Sequence, residues 1–282
     1  MTRRALVLGG GGITGIAWEL GLLHGLARAG VDLTDADLVV GTSAGSIVGS
    51  LLRCAPTQGT DLAALYDSQL EPPEPGPTAR MGPGTIARLV PPFLLPGDAE
   101  RKRARLGRKA MRHPGDREER VEVIRGIVPW EEWPERELKI TAVEAETGRF
   151  TVFDRAAGVN GVPLVRAVAA SCAVPLVWPT VAVGDRHYLD GGFRSTANVD
   201  LATGYDDVVV VAPLPRAFSR ATSIPAQLAR TGCTRSAVVV PDAQALSDIG
   251  RNVLDFAHSA DAARTGLRQA ADVAERVAAA WA

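Results

Sequence analysis

Arg4–Leu8 (R-A-L-V-L) is a short aliphatic run, the pattern of a strand buried on both faces. Gly9 to Gly12 break it. Ile16, Leu20, Leu23 and Ala27 then recur at helical spacing, and Gly30 ends the pattern as a C-cap glycine does. Leu38-Val39-Val40 repeats the strand pattern. Gly41-Thr42-Ser43-Ala44-Gly45 follows, and after it an apolar helical stretch through Ile47, Val48, Leu51 and Leu52. Strand, glycine turn and helix, twice over, predict an α/β fold with a mostly parallel central sheet flanked by helices.

The rhythm stops between about 71 and 129. Glu71–Pro77 (E-P-P-E-P-G-P) excludes a regular helix or interior strand, and Pro91–Pro96 is apolar but punctuated by prolines. Arg101 to Arg112 then holds seven Lys or Arg and no acid. This stretch reads as an insertion packed over or beside the sheet. Beyond it, Leu138–Ala145 and Arg149–Phe153 are expected as strands joined by the turn Glu146-Thr147-Gly148. Val162–Ala170 is helical in character, Val181–Val183 and Tyr188-Leu189 flank a turn, and Asp207–Ala212 is a buried strand. The alanine-rich C-terminal stretch, at about 252–281, is expected as a long helix.

Composition narrows the function classes. On length alone, 282 residues fit one α/β domain or two smaller ones; one domain, 1–282, is expected. A net charge of −1 supplies no field to gather nucleic acid, so none is expected as a partner. Cys54, Cys172 and Cys233 form no CxxC pair, and their odd number suits a reducing compartment. Ala5–Leu8 is too short for a secretory h-region, and no stretch approaches the length of a bilayer span. A cytoplasmic protein is expected. The segment 91–112 is a candidate for peripheral membrane contact, with Phe93-Leu94-Leu95 beside the cations; a solvated basic helix is the plainer alternative.

Three elements carry chemistry. G-x-S-x-G at Gly41–Gly45 lies between a predicted strand and a predicted helix, where small neighbours let the chain turn sharply beneath an exposed serine hydroxyl. Gly9–Gly12 put several backbone N–H groups within reach of one small anion. Gly10 to Gly15 also fits G-x-G-x-x-G, with Asp35 about 20 residues on, so a nucleotide-binding protein is a rival reading. That acid, however, precedes the second strand rather than ending it. Asp190-Gly191-Gly192 sets a carboxylate on a turn, which by itself is an ordinary Asp-Gly turn. None of His24, His113, His187 and His258 lies where it marks a partner for Ser43, and no His, Cys and carboxylate set has metal-ligand spacing, so neither metal nor cofactor is expected.

Together the loop Gly10–Gly15, the turn Gly41–Gly45 and Asp190-Gly191-Gly192 resemble, in order and spacing, the motifs of patatin-like phospholipases. Ala170-Ser171-Cys172-Ala173-Val174-Pro175 is similar to the A-S-x-A-x-P segment of that family, as are Thr147-Gly148-Arg149 and Val152-Phe153-Asp154. The resemblance covers about Arg4 to Pro213. It implies the patatin-like variant of a three-layer α/β fold and a serine acyl hydrolase acting on lipid or related esters through a Ser–Asp dyad. Carried over by position, Ser43 is the nucleophile, Asp190 the base, and the N–H groups of Gly10, Gly11 and Gly12 the oxyanion hole. Gly15, Gly41, Gly45, Gly191 and Gly192 shape the turns around them. The same dyad would serve an acyltransferase. Thr14 departs from the pattern, because the family usually carries Arg or Lys there.

Overall fold

The computed structural model of the chain describes residues 2–71, 83–89, 91–217 and 219–281. Eight strands form one sheet: β1 Arg4–Leu8, β2 Leu38–Gly41, β3 Glu137–Glu144, β4 Phe150–Phe153, β5 Val181–Val183, β6 Arg186–Asp190, β7 Asp207–Val211 and β8 Arg235–Val239. Their order is β5-β6-β3-β2-β1-β7-β8, with β4 also paired to β3. The five strands from β3 to β8 run parallel; β4, β5 and β6 are antiparallel to their neighbours.

Alternation along each strand builds a core on both faces. Leu6, Leu8, Val39, Leu138, Ile140, Val209 and Val211 point to a core shared with the helices Gly12–Arg28, Ala44–Cys54, Leu164–Ser171 and Ser259–Ala279. Ala5, Val7, Leu38, Val40, Val208 and Val210 point the other way, onto Ala197, Val199, Tyr205 and Ile224. Helix–sheet–helix layering is thus written into β1, where R-A-L-V-L is buried on both sides because both sides are covered.

The pairing of β3 decides where the chemistry goes. Ile140 pairs with Gly41 of β2 and with Phe153 of β4, while Ala142 pairs with Thr151 of β4 and with Asp190 of β6. A strand has two edges, so β2 and β6 share the edge opposite β4 and meet end on across Ile140–Ala142.

The helix Gly12–Arg28 crosses the C-terminal helix at backbone contact. A Cβ on Gly21 would stand 2.0 Å from the Ala263 carbonyl oxygen, and one on Gly266 2.3 Å from that of Trp18. The Trp18 Nε1–H donates to Gln269 (3.1 Å) at the same crossing. This C-terminal helix begins at Ser259, later than the expected 252; a 3-10 turn, Phe256–His258, precedes it, and the Asp255 carboxylate accepts the Ala257 N–H there. The strand β8 and the helices Ile224–Thr231 and Ala243–Ile249 were not anticipated. Most of the expected 71–129 insertion is helical: Pro83–Leu89, Pro91–Leu94, Ala99–Ala110 and Arg117–Arg125. Leu89 and Leu106 from it join Val143, Ala145 and Leu189 in a third apolar cluster. Of the proline-rich Glu71–Pro77, all but Glu71 lies outside the described residues.

Candidate active site

Ser43 stands between the last residue of β2 and the helix Ala44–Cys54, with φ 53° and ψ −117°. An L residue held in this region costs on the order of 1–3 kcal/mol, so the surroundings must impose it. They do. The Ser43 N–H donates to the Ser171 hydroxyl (2.9 Å), and its carbonyl accepts from the Ser46 hydroxyl (2.6 Å) and the Cys172 thiol (3.4 Å). The turn packs so tightly that a Cβ on Gly45 would lie 2.2 Å from the Leu8 carbonyl oxygen, and one on Gly41 2.6 Å from that of Gly45. G-x-S-x-G is the composition this geometry requires.

Asp190 ends β6, and the end-on meeting of β2 and β6 brings it to Ser43. It is 4% exposed. Burial pushes its carboxyl up to about 6, against the opposing pull of the Ser43 hydroxyl, the Gly192 N–H and the Arg120 guanidinium. The Gly192 N–H donates to Oδ1 at 2.7 Å, fixing the carboxylate's rotation. A carboxyl near 6 is a better proton acceptor than an ordinary aspartate while still ionised at pH 7.

Of the three loop amides expected to face an oxyanion, that of Gly10 points elsewhere: it donates to the Thr196 carbonyl at 2.7 Å. The loop still passes the serine closely, since a Cβ on Gly10 would lie 3.5 Å from the Ser43 Cβ. The N–H groups of Gly11 and Gly12 donate to no backbone carbonyl among the described residues, and neither does that of Ala44, the residue after Ser43. A donor from that position and donors from a glycine loop are the usual pair for an oxyanion. Gly12 turns at φ +63°, with Val253 O 2.5 Å from where its Cβ would be. Thr14 is anchored from the same place, its N–H donating to Val253 O at 3.2 Å. Beneath the loop, Glu19 is wholly buried with neither oxygen hydrogen-bonded among the described residues, and burial holds its carboxyl well above the usual carboxylate range.

Several supporting residues escape sequence reasoning. Ser171-Cys172-Ala173 forms a strap that joins Ser43, Asp190 and Arg120. Ser171 and Cys172 hold the Ser43 backbone, the Ala173 carbonyl accepts the Asp190 N–H (3.0 Å), and the Cys172 carbonyl accepts from Arg120 Nη2 (3.5 Å). Under the meeting of β2 and β6 lies a buried polar cluster. The Thr42 and Thr141 hydroxyls are 2.9 Å apart, and Asn198 Nδ2 donates to both, at 3.0 and 3.3 Å. Only the A-S-x-A-x-P likeness hinted at the strap. Nothing local marks Asn198, which reaches the cluster from a left-handed backbone (φ 54°).

The rival readings lose their geometry. Asp35 precedes β2 and binds Arg4 (2.8 Å), whereas the glycine loop follows β1; because β1 and β2 are parallel, acid and loop sit at opposite ends of the sheet. Each histidine is engaged elsewhere: His24 stacks on Tyr66, His187 Nδ1 lies 2.8 Å from Glu146, His113 accepts from Gly115, and His258 packs against Gly250.

The family model for patatin-like phospholipases matches residues 6–203. The chain belongs to the patatin-like phospholipase family. Among solved structures it is similar to VipD from Legionella pneumophila (13% identity, TM-score 0.40, covering 75% of this chain and 50% of that one). It is also similar to the type III effector protein ExoU (20%, 0.37, 95% and 53%) and to a chain of the heterodimeric ExoU–SpcU complex from the type III secretion system of Pseudomonas aeruginosa (17%, 0.35, 98% and 52%). The chain spans about half the length of these structures. A comparison with curated proteins gives no match. The segment that matches the family contains the glycine loop, Ser43, the strap and Asp190.

Proposed function

We propose that this patatin-like phospholipase is a serine acyl hydrolase of lipid esters, in which Ser43 attacks and Asp190 moves the proton. Asp190 takes the Ser43 hydroxyl proton as Oγ adds to the ester carbonyl. The oxyanion is met by the N–H groups of Gly11, Gly12 and Ala44. Collapse breaks the carbonyl–oxygen bond, the proton passes from Asp190 to the leaving alcohol, and an acyl-Ser43 ester remains. Water, deprotonated by Asp190, then releases the acid and restores the serine. The observation carrying this reading is the buried carboxyl of Asp190, brought by the meeting of β2 and β6 to a serine held in a strained turn. Partly buried Leu176, Val177, Trp178, Phe93 and Met111 line the apolar cluster containing Leu189, next in sequence to Asp190, and supply a surface for an acyl chain. The same reading assigns 91–112 to contact with an anionic lipid surface: Leu94 and Leu95 are 77% and 52% exposed beside exposed Arg101, Arg108 and Arg112.

The test is covalent. A fluorophosphonate labels wild-type protein at Ser43, as peptide mapping shows. Ser43→Ala takes up no label, and Asp190→Asn labels and hydrolyses at least 100-fold more slowly. Near-normal turnover in either variant removes the dyad.

A further inference from the structure

Among the described residues Arg120 forms no salt bridge. It lies on the helix Arg117–Arg125, half-buried, with its guanidinium 4.3 Å from the centre of the Trp178 ring. Its hydrogen bond to a protein group, from Nη2 to the Cys172 carbonyl, is long at 3.5 Å, and its buried Nε has no partner. Among the described residues no carboxylate comes within salt-bridge distance of it. Arg53, Arg103 and Arg194 are better satisfied: Arg53 donates to the carbonyls of Thr34 and Ala36, Arg103 to that of Gly148, and Arg194 forks onto Asp200. Arg105 also has a buried nitrogen without a partner, but only Arg120 is tied to the strap that holds Ser43.

Guanidinium stays charged in proteins, and removing it from water without a counter-charge is costly. Chains retain such a group where something else supplies the charge. Here the location is specific. Arg120 binds the strap residue, Cys172, whose thiol contacts the Ser43 backbone, and its charge is felt at Asp190. Asp190 is itself committed to Ser43 and Gly192. Trp178 carries the guanidinium over its ring and so limits its motion, which favours a bidentate contact to a tetrahedral or planar anion. Thr14 in the glycine loop is uncharged and tied to Val253, so the loop offers no competing cation at that position.

Resting on the hydrolase reading above, we propose that Arg120, backed by Trp178, is an anion-binding residue of the site, taking a phosphate or carboxylate group borne on the alcohol side of the scissile ester. Substrates are then acidic acyl esters. The insertion contributes specificity by bringing one charge to the strap between Ser43 and Asp190.

The experiment uses the full chain, with Arg120→Met and Arg120→Lys, and three esters sharing one acyl chain. The alcohols are glycerol, glycerol phosphate and glycerate. Wild type favours the two acidic esters. Arg120→Met lowers the ratio of kcat/KM for acidic over neutral ester by about ten- to a hundred-fold, mostly through KM, as expected for loss of a charge-assisted pair. Arg120→Lys, keeping the charge without the fork, recovers part of it. A fall confined to the phosphate ester identifies a phosphate site, and a fall for both acidic esters a general anion site. Inorganic phosphate inhibits the wild type competitively, and its inhibition constant rises at least ten-fold in Arg120→Met. Equal losses on neutral and acidic esters, or an unchanged phosphate inhibition constant, overturn the proposal. If wild type neither labels with fluorophosphonate nor hydrolyses any ester, the hydrolase reading has failed instead. Phosphate-dependent thermal stabilisation then decides for Arg120: present in wild type and absent from Arg120→Met supports the anion site, and equal in both overturns it.

Discussion

At the residue scale, the proposed dyad trades stability for reactivity. Asp190 has a folded-state pKa raised to about 6, above that of an unfolded carboxyl. The folded state therefore binds its proton more tightly, so stability falls as pH rises from about 4 through 6 and stays lower above that. Asp190→Asn removes the penalty. Its unfolding free energy should exceed that of wild type by on the order of 2–3 kcal/mol at pH 8, with the gap closing by pH 4, in denaturant titrations. Activity has the opposite sense, because the ionised carboxylate is the working form. The acid limb of kcat/KM should bend near pH 6 and move upward in Arg120→Met, where a positive neighbour is lost. A pH-independent rate between 5 and 8 contradicts the assignment of Asp190 as base. The positive φ of Ser43 belongs to the same trade.

At the element scale, the closest backbone approaches of helix to strand and helix to helix fall at glycines. Gly21 lies where the helix Gly12–Arg28 meets the carbonyl of Ala263, with no room for a methyl group. Gly21→Ala should cost at least 1–3 kcal/mol and lower Tm. Gly84→Ala, on a helix where a Cβ meets nothing within 4 Å, should be neutral or slightly stabilising. Thermal unfolding of the two variants side by side checks this. The same contrast explains what was legible beforehand. β1, β2, β7 and the helices after β1 and β2 follow from aliphatic runs and glycine breaks, since burial on both faces leaves a local signature. The elements between β7 and the C-terminal helix went unforeseen. The shared edge of β3 also went unforeseen, because register between distant strands has no local mark. Thus Ser43 was visible from its turn, while Asp190 needed the family likeness to stand out from other Asp-Gly turns. Asn198 and Arg120 act only through partners that folding brings to them.

For the whole molecule, the sheet order places β1 between β2 and β7, so the chain leaves β1 toward one side and returns on the other. Loops at the carboxyl ends of such strands diverge and open a crevice, where open α/β sheets take their ligands. The glycine loop and Ser43 occupy that end. Among the described residues no helix is long and apolar enough to cross a membrane. Replacing Leu94 and Leu95 together by Ser should cut co-sedimentation with vesicles rich in anionic lipid several-fold, leaving hydrolysis of a dispersed short-chain ester intact. Unchanged vesicle binding would move the contact elsewhere. Finally, β2 and β6 dock on one edge of β3, so serine and aspartate are carried by a single rail. Breathing of the sheet that bends the rail moves both ends together and preserves their spacing, whereas the glycine loop, hung from β1, shifts separately. Distortions seeded at β7 or β8 should thus weaken the grip on the oxyanion before they disturb the proton's path.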